Sequence, residues 1–224
     1  MKTAQKILVK LLGQLLSTAI TMLALSPKAH AQTERKQTVY GEAGLGAGQT
    51  LFFGDIRNKL RQAIQANDFE PGLAGNLLLG FYVAPERWKG LGVGGRLKFS
   101  GSGGGATDDQ GGEYFFNYYN IGISAKYYPL TREYNKGLYG RATLGTGQLT
   151  TKHQFNDPAN TYLHQFAIGS VLAGGVGWTF PLKTTSLSLE AEFESGRRNG
   201  TISGWGDGQV FRSGQLGANL IITF

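Results

Sequence analysis

Cysteine is missing from the 224 residues, and proline (6), methionine (2), histidine (3) and charged residues (17%) are scarce. The lack of cysteine removes disulfide scaffolds, thiolate metal sites and cysteine nucleophiles together, whatever the redox compartment. Long apolar runs are also lacking. Beyond the first 31 residues no stretch approaches the ~18 consecutive apolar positions that a helical span requires, which excludes helical membrane architecture for the rest of the chain. What is abundant is glycine, 35 residues with no Gly-X-Y period, together with 41% hydrophobic residues, too many for a disordered chain.

The first segment reads as an address. Lys2, Lys6 and Lys10 precede an apolar run from Leu11 to Leu25, and the stretch closes on Ala29-His30-Ala31, the small-x-small pattern of a signal-peptidase site. Residues 1–31 are therefore expected to be a cleaved signal peptide and residues 32–224 the exported domain. A membrane anchor is the alternative, but Gly13, Gln14, Ser17, Thr18 and Thr21 interrupt the run, which is shorter than the ~20 residues a spanning helix needs. Cleavage removes four lysines and no acids, lowering the formal charge from +7 to +3. The basic balance thus gives no support to nucleic-acid binding, which needs a basic face in the mature chain.

The mature chain alternates in period two. Leu91, Val93, Leu97 and Phe99 alternate with Gly92, Gly94, Arg96, Lys98 and Ser100, and a pleated strand sends the two sets to opposite faces. The pattern recurs in Tyr119, Ile121, Ile123, Ala125 and Tyr127, in Leu187, Leu189, Ala191 and Phe193, and in Leu216, Ala218, Leu220, Ile222 and Phe224. Residues 38–48, 72–84, 137–149 and 162–180 are further strand candidates, giving eight strands. Residues 85–90, 129–136 and 181–185 are short connections that begin with Pro, which cannot continue a ladder. Residues 49–71, 101–112, 150–161 and 196–208 are longer or glycine-rich.

Outer-membrane barrels have short periplasmic turns and longer external loops, so this asymmetry predicts an exported protein of the cell outer membrane with both termini in the periplasm. The expected fold is all-β: an eight-stranded antiparallel up-and-down transmembrane β-barrel. A soluble lipocalin-like barrel also has eight alternating strands, but with its apolar face inward. It leaves unexplained the terminal Phe224 in step with Ile222 and Leu220, and Tyr127, Trp178 and Phe180 beside the short turns, which interfacial girdles explain.

The signal peptide, the eight alternating segments, the glycine-aromatic strands LYGRATLGTG and LAGGVGWTF, the KYYPL strand end and the final aromatic resemble the small outer-membrane β-barrel family typified by OmpA and OmpX. The resemblance covers essentially the whole mature chain, through degenerate motifs. It implies that the last strand, with Leu216, Leu220, Ile222 and Phe224, is read by the barrel-assembly machinery. Because the chain stops at Phe224, the peptidoglycan-binding domain that follows the barrel in OmpA is expected to be absent.

In a closed eight-stranded sheet, strand n lies roughly across the lumen from strand n+4, and the bore is just wide enough for side chains to fill. Arg96 and Lys98 on the third strand should therefore meet Glu190, Glu192 and Glu194 on the seventh, and Arg141 on the fifth should meet Glu42 on the first. With Lys126, four inward bases balance four inward acids, and Gly175 and Gly177 leave room for the long side chains. The alternative is that the acids simply line water.

Catalytic constellations are nearly empty. Acyl-transfer or hydrolytic work on lipid A needs a nucleophile beside a His that an acid orients. After processing only His153, in TKHQFND, and His164, followed by Gln165 and Phe166, remain, so the His-x-Ser pattern of lipid A deacylases is missing. No enzyme, metal or cofactor is expected. Gly90, Gly92 and Gly95 match G-x-G-x-x-G, but RLKFSGSG follows where a phosphate-binding helix should open, so they are read as small residues in a barrel strand.

In the first long loop, Asp55 could cap a short helix carrying Ile56, Leu60 and Ile64, with Arg57, Lys59 and Arg61 around them, against the membrane surface. Arg197, Arg198 and Arg212 near the fourth loop could meet lipopolysaccharide phosphates, which guanidinium groups suit; ordinary solvated loops are the plainer alternative. The expected protein is a monomer among outer-membrane lipid and lipopolysaccharide, with a charge-plugged lumen and a structural or surface-interaction role through four external loops. A narrow porin-like conduit for small solutes and a lipid A-modifying enzyme are the competing functions.

Overall fold

A computed structural model of the chain describes residues 37–55, 57–58, 73–102, 106–107, 113–154, 163–202 and 206–224. The expected signal peptide lies outside the described residues, as do Ile56, Lys59, Leu60, Arg61 and Ile64; Asp55, Arg57 and Asn58 are helical.

Eight long strands account for most of these residues: β1 Val39–Phe53, β2 Leu73–Val83, β3 Leu91–Ser102, β4 Glu113–Tyr127, β5 Gly137–Gln154, β6 Leu163–Pro181, β7 Ser186–Ile202 and β8 Gly206–Thr223. A two-residue strand, Ala106–Thr107, pairs with the start of β4. Each long strand pairs antiparallel with its neighbour in the chain. β8 returns to pair with β1, from Glu42 opposite Thr223 to Phe53 opposite Arg212, so the sheet closes on itself. Closure matters physically because an open edge leaves a row of unpaired N–H and C=O groups, which hydrocarbon cannot satisfy. Where the seam ends, Gly41 N–H donates to the Phe224 carbonyl at 2.8 Å and Phe224 N–H to the Gly41 carbonyl at 3.0 Å.

The side chains alternate as the pleat requires, and the phase is inside-out relative to a soluble barrel. Leu97, Ile121, Leu144, Leu172, Leu189, Leu216 and Ile222 all point outward, and Ile123 is 72% exposed. Arg96, Lys98, Lys126, Arg141 and the three glutamates of β7 are buried inside. Tyr127, Trp178 and Phe180 form part of an exposed aromatic set beside the short turns. A one-residue slip would exchange the two sets, so lipid outside and charge inside together fix the register.

Several boundaries differ from the sequence expectation. β1 continues through Phe53, because Thr50 and Phe52 stay in phase with the interior while Leu51 and Phe53 face out. β7 runs on to Ile202 and β8 begins at Gly206, with an irregularity in pairing between Gly200 and Ile202. Most of the expected fourth loop, residues 196–208, is therefore strand, with Arg197 and Arg198 in β7, and Arg212 beyond it lies in β8. His153 likewise lies in β5 and His164 in β6.

Candidate functional site

The interior is the feature that sequence and fold build together. Inward positions on β3, β4, β5 and β7 carry long ionic side chains, and small residues opposite make room for them. A Cβ at Gly175 would come within 3.1 Å of Glu190 Cδ, and one at Gly177 within 2.5 Å of the Tyr139 ring.

The ion pairs run as a continuous ladder along the bore. Nearest the short turns, Glu42 accepts from Lys126 Nζ at 2.6 Å and from Arg141 Nη2 at 3.0 Å. Arg141 Nε lies 2.9 Å from Glu190, whose other carboxylate oxygen is 3.4 Å from Arg96 Nη2. Arg96 also pairs with Glu192. Lys98 Nζ bridges Glu192 at 2.7 Å and Glu194 at 3.1 Å. The diagonals are those of a closed eight-strand ring, β3 to β7 and β1 to β5, and Lys126 adds β4 to β1. A cavity among Arg96, Lys98, Asn120 and Glu194 measures about 20 Å³, room for about one water.

Arg198 corrects the sequence reading. The sequence groups it with Arg197 and Arg212 as a surface contact for lipopolysaccharide, but its side chain points into the lumen and is fully buried. It pairs with Glu194 at 3.3 Å and donates to Ser213 Oγ at 2.8 Å and Asn120 Oδ1 at 3.0 Å. The cause is period two: Arg198 lies four residues from Glu194 on the same inward face of an extended β7. Among the described residues the ladder thus holds five bases to four acids. Arg197 and Arg212 take the opposite phase and face outward.

Aromatic rings close both ends of the ladder, and the sequence reading missed them. At the short-turn end, Tyr134 folds back from the β4–β5 turn, with its ring centroid 4.7 Å from Tyr40 and 5.2 Å from Tyr128. The turn is shaped for this. Arg132 and Asn135, on either side of Tyr134, have φ of 54° and 70°, and Gly92 leaves the space its ring occupies, since a Cβ there would run into the ring. Burial pushes the Tyr134 hydroxyl well above the ordinary phenol range, so the ring is uncharged at neutral pH. Lys126 Nζ sits 4.1 Å from the Tyr139 centroid, a cation–π contact beside its ion pair. At the long-loop end, Phe52 and Phe116 pack edge to face at 5.0 Å. The available signal was phase: Tyr139 is in step with Arg141, and Tyr128 with Lys126.

Leu216, Leu220, Ile222 and Phe224 share the outward face of β8. Among the described residues, no group of three or more His, Asp or Glu side chains is arranged to hold a metal.

A closed eight-stranded ring, greasy outside, ionised inside and girdled by aromatics, defines a transmembrane β-barrel with the architecture of the small outer-membrane barrels. No family model and no curated protein sequence matches the chain. Among solved structures it is similar to Ail, the attachment invasion locus protein of Yersinia pestis, at 14% identity over 84% of this chain and 100% of that one, with a TM-score of 0.49. It is also similar to Neisserial surface protein A, at 13% identity over 83% of this chain and 97% of that one, TM-score 0.47. A major outer membrane protein from Thermus thermophilus is 14% identical over 84% of this chain and 100% of that one, TM-score 0.44.

Proposed function

We infer that the protein is a non-enzymatic, monomeric outer-membrane barrel that does not conduct and whose role is structural or interactional, exercised through its long loops. The observation that carries this reading is the unbroken ladder from Glu42 to Arg198, stoppered by Tyr134 at one end and by Phe52 and Phe116 at the other. A solute crossing the bore has to separate several buried ion pairs, each of which loses most of its compensation for desolvation when it opens. An eight-stranded bore is just wide enough for side chains to fill, whereas sixteen- to eighteen-stranded porins leave an aqueous channel.

The termini and short turns face the periplasm in this reading, and the long loops face outside, as barrel asymmetry favours. The outward row Leu216, Leu220, Ile222 and Phe224 supports recognition of β8 by the assembly machinery. Planar-bilayer recording on the purified barrel tests the closed lumen. Silence is expected, and reproducible unitary steps would favour a narrow conduit for small solutes instead. Lipid A spectra that change when the protein is present would favour the enzyme reading.

A further inference from the structure

Arg197 on β7 and Arg212 on β8 stand directly opposite each other in the ladder, both exposed on the outer wall. Like charges directly opposed across two strands destabilise a sheet. Among the described residues neither has a carboxylate partner, whereas the next residue along β7, the inward Arg198, has three polar partners in the bore. The two exposed guanidiniums line one groove of about 310 Å³, together with Phe53, Leu144, Leu172 and Ser195. Small outward residues, Ser170 and Ser195, recess its floor between the larger side chains, and the Phe53 ring lies over Gly214, where a Cβ would meet it at 3.1 Å.

The height of this pair on the wall selects the ligand. Ten residues separate Leu187, at the short-turn end of β7, from Arg197. At about 3.4 Å per residue and a tilt near 45°, that is roughly 24 Å along the membrane normal, close to the ~25 Å apolar band of such barrels. The arginines therefore stand at the headgroup level of the leaflet nearer the long loops, and the apolar part of the groove, at Leu144 and Leu172, runs toward the lipid interior. Guanidinium forks match phosphate bidentately, and a shared anion would convert the repulsion between them into a bridge.

We propose that Arg197 and Arg212 form a phosphate clamp for a phosphorylated lipid of that leaflet, with an acyl chain lying along Leu144 and Leu172. The site rests on the outward wall alone and is independent of whether the lumen conducts.

The test uses the refolded barrel in uncharged detergent micelles, with diphosphoryl lipid A, the same lipid stripped of both phosphates, and inorganic phosphate as separate probes. Native mass spectrometry and thermal unfolding are the readouts. The wild type is expected to bind the phosphorylated lipid about tenfold or more tightly than the Arg197→Gln/Arg212→Gln variant does, and to gain thermal stability from it. The stripped lipid should bind both proteins alike, and inorganic phosphate at the same concentration should leave the melting temperature unchanged. Arg197→Gln alone should fold at least as stably as wild type without lipid, because it relieves the like-charge pair. Arg212→Lys, which keeps the charge but loses the fork, should weaken binding on an intact fold. Equal affinity of wild type and double variant for the phosphorylated lipid overturns the proposal. So does a wild type that takes up the stripped lipid as well, or one that inorganic phosphate stabilises equally.

Discussion

Glu42→Gln is expected to destabilise the barrel by about 3–5 kcal/mol, the range for a buried ion pair that loses one partner. The reason is specific to the ladder. Glu42 is the one carboxylate within ion-pair distance of Lys126 among the described residues, and Lys126 is fully buried. Removing the charge leaves a buried ammonium with no ion-pair partner, facing a neutral amide and tyrosine rings. Arg141 is better placed, because it keeps Glu190 at 2.9 Å. Lys126→Gln alone should therefore be mild, since Glu42 retains Arg141, and Glu42→Gln/Lys126→Gln should recover much of the loss. Urea unfolding in lipid vesicles measures all three. A double variant no more stable than Glu42→Gln would mean that the charges are separately hydrated and not mutually compensated.

Gly94→Val should cost about 3 kcal/mol and sharply lower the folding yield, while Gly95→Val, one residue along, should be close to neutral. A Cβ at Gly94 points inward and would run into the Phe81 carbonyl oxygen and lie 2.8 Å from Tyr82 Cα. Those are backbone atoms of β2, so no rotamer change relieves the clash, and β2 and β3 have to part. Gly95 points outward with nothing within 4 Å, and a valine there adds an apolar side chain to a lipid-facing wall. Refolding yield and heat-modified gel mobility report both outcomes. The contrast between adjacent glycines is the pleat made visible, because exchanging inside for outside would invert which substitution is tolerated.

The fold was legible because a barrel in lipid writes period two into nearly every strand, and because prolines mark one set of connections. The cross-bore diagonals were legible for a related reason: closure of eight strands makes β3 face β7 and β1 face β5, so long inward charges have few places to go. Arg198 was not legible as a lumen residue. Glycines and paired arginines look like loop sequence, and only the continued alternation beyond Glu194 distinguishes a strand that overshoots the membrane band. Tyr134 was hidden for a different reason. It sits in a turn, where no periodicity applies, and its inward fold depends on the positive φ of Arg132 and Asn135 and on the space at Gly92, across the β3–β4 hairpin. The glycines of the G-x-G-x-x-G match divide the same way: Gly90 turns the chain at φ +88°, Gly92 admits a ring and Gly95 merely faces out.

The inside-out arrangement is open to direct measurement, and the absence of native cysteine makes it clean. Single cysteines at Ile121, Ile123 and Ala125, and at Asn120 and Ser124, can each carry a spin label in the barrel reconstituted into bilayers. Collision with dissolved oxygen, which concentrates in the lipid core, should be high at residues 121, 123 and 125 and low at residues 120 and 124. The opposite alternation, or accessibility that does not alternate at all, would contradict a barrel with its apolar side chains in lipid and its charges in the bore.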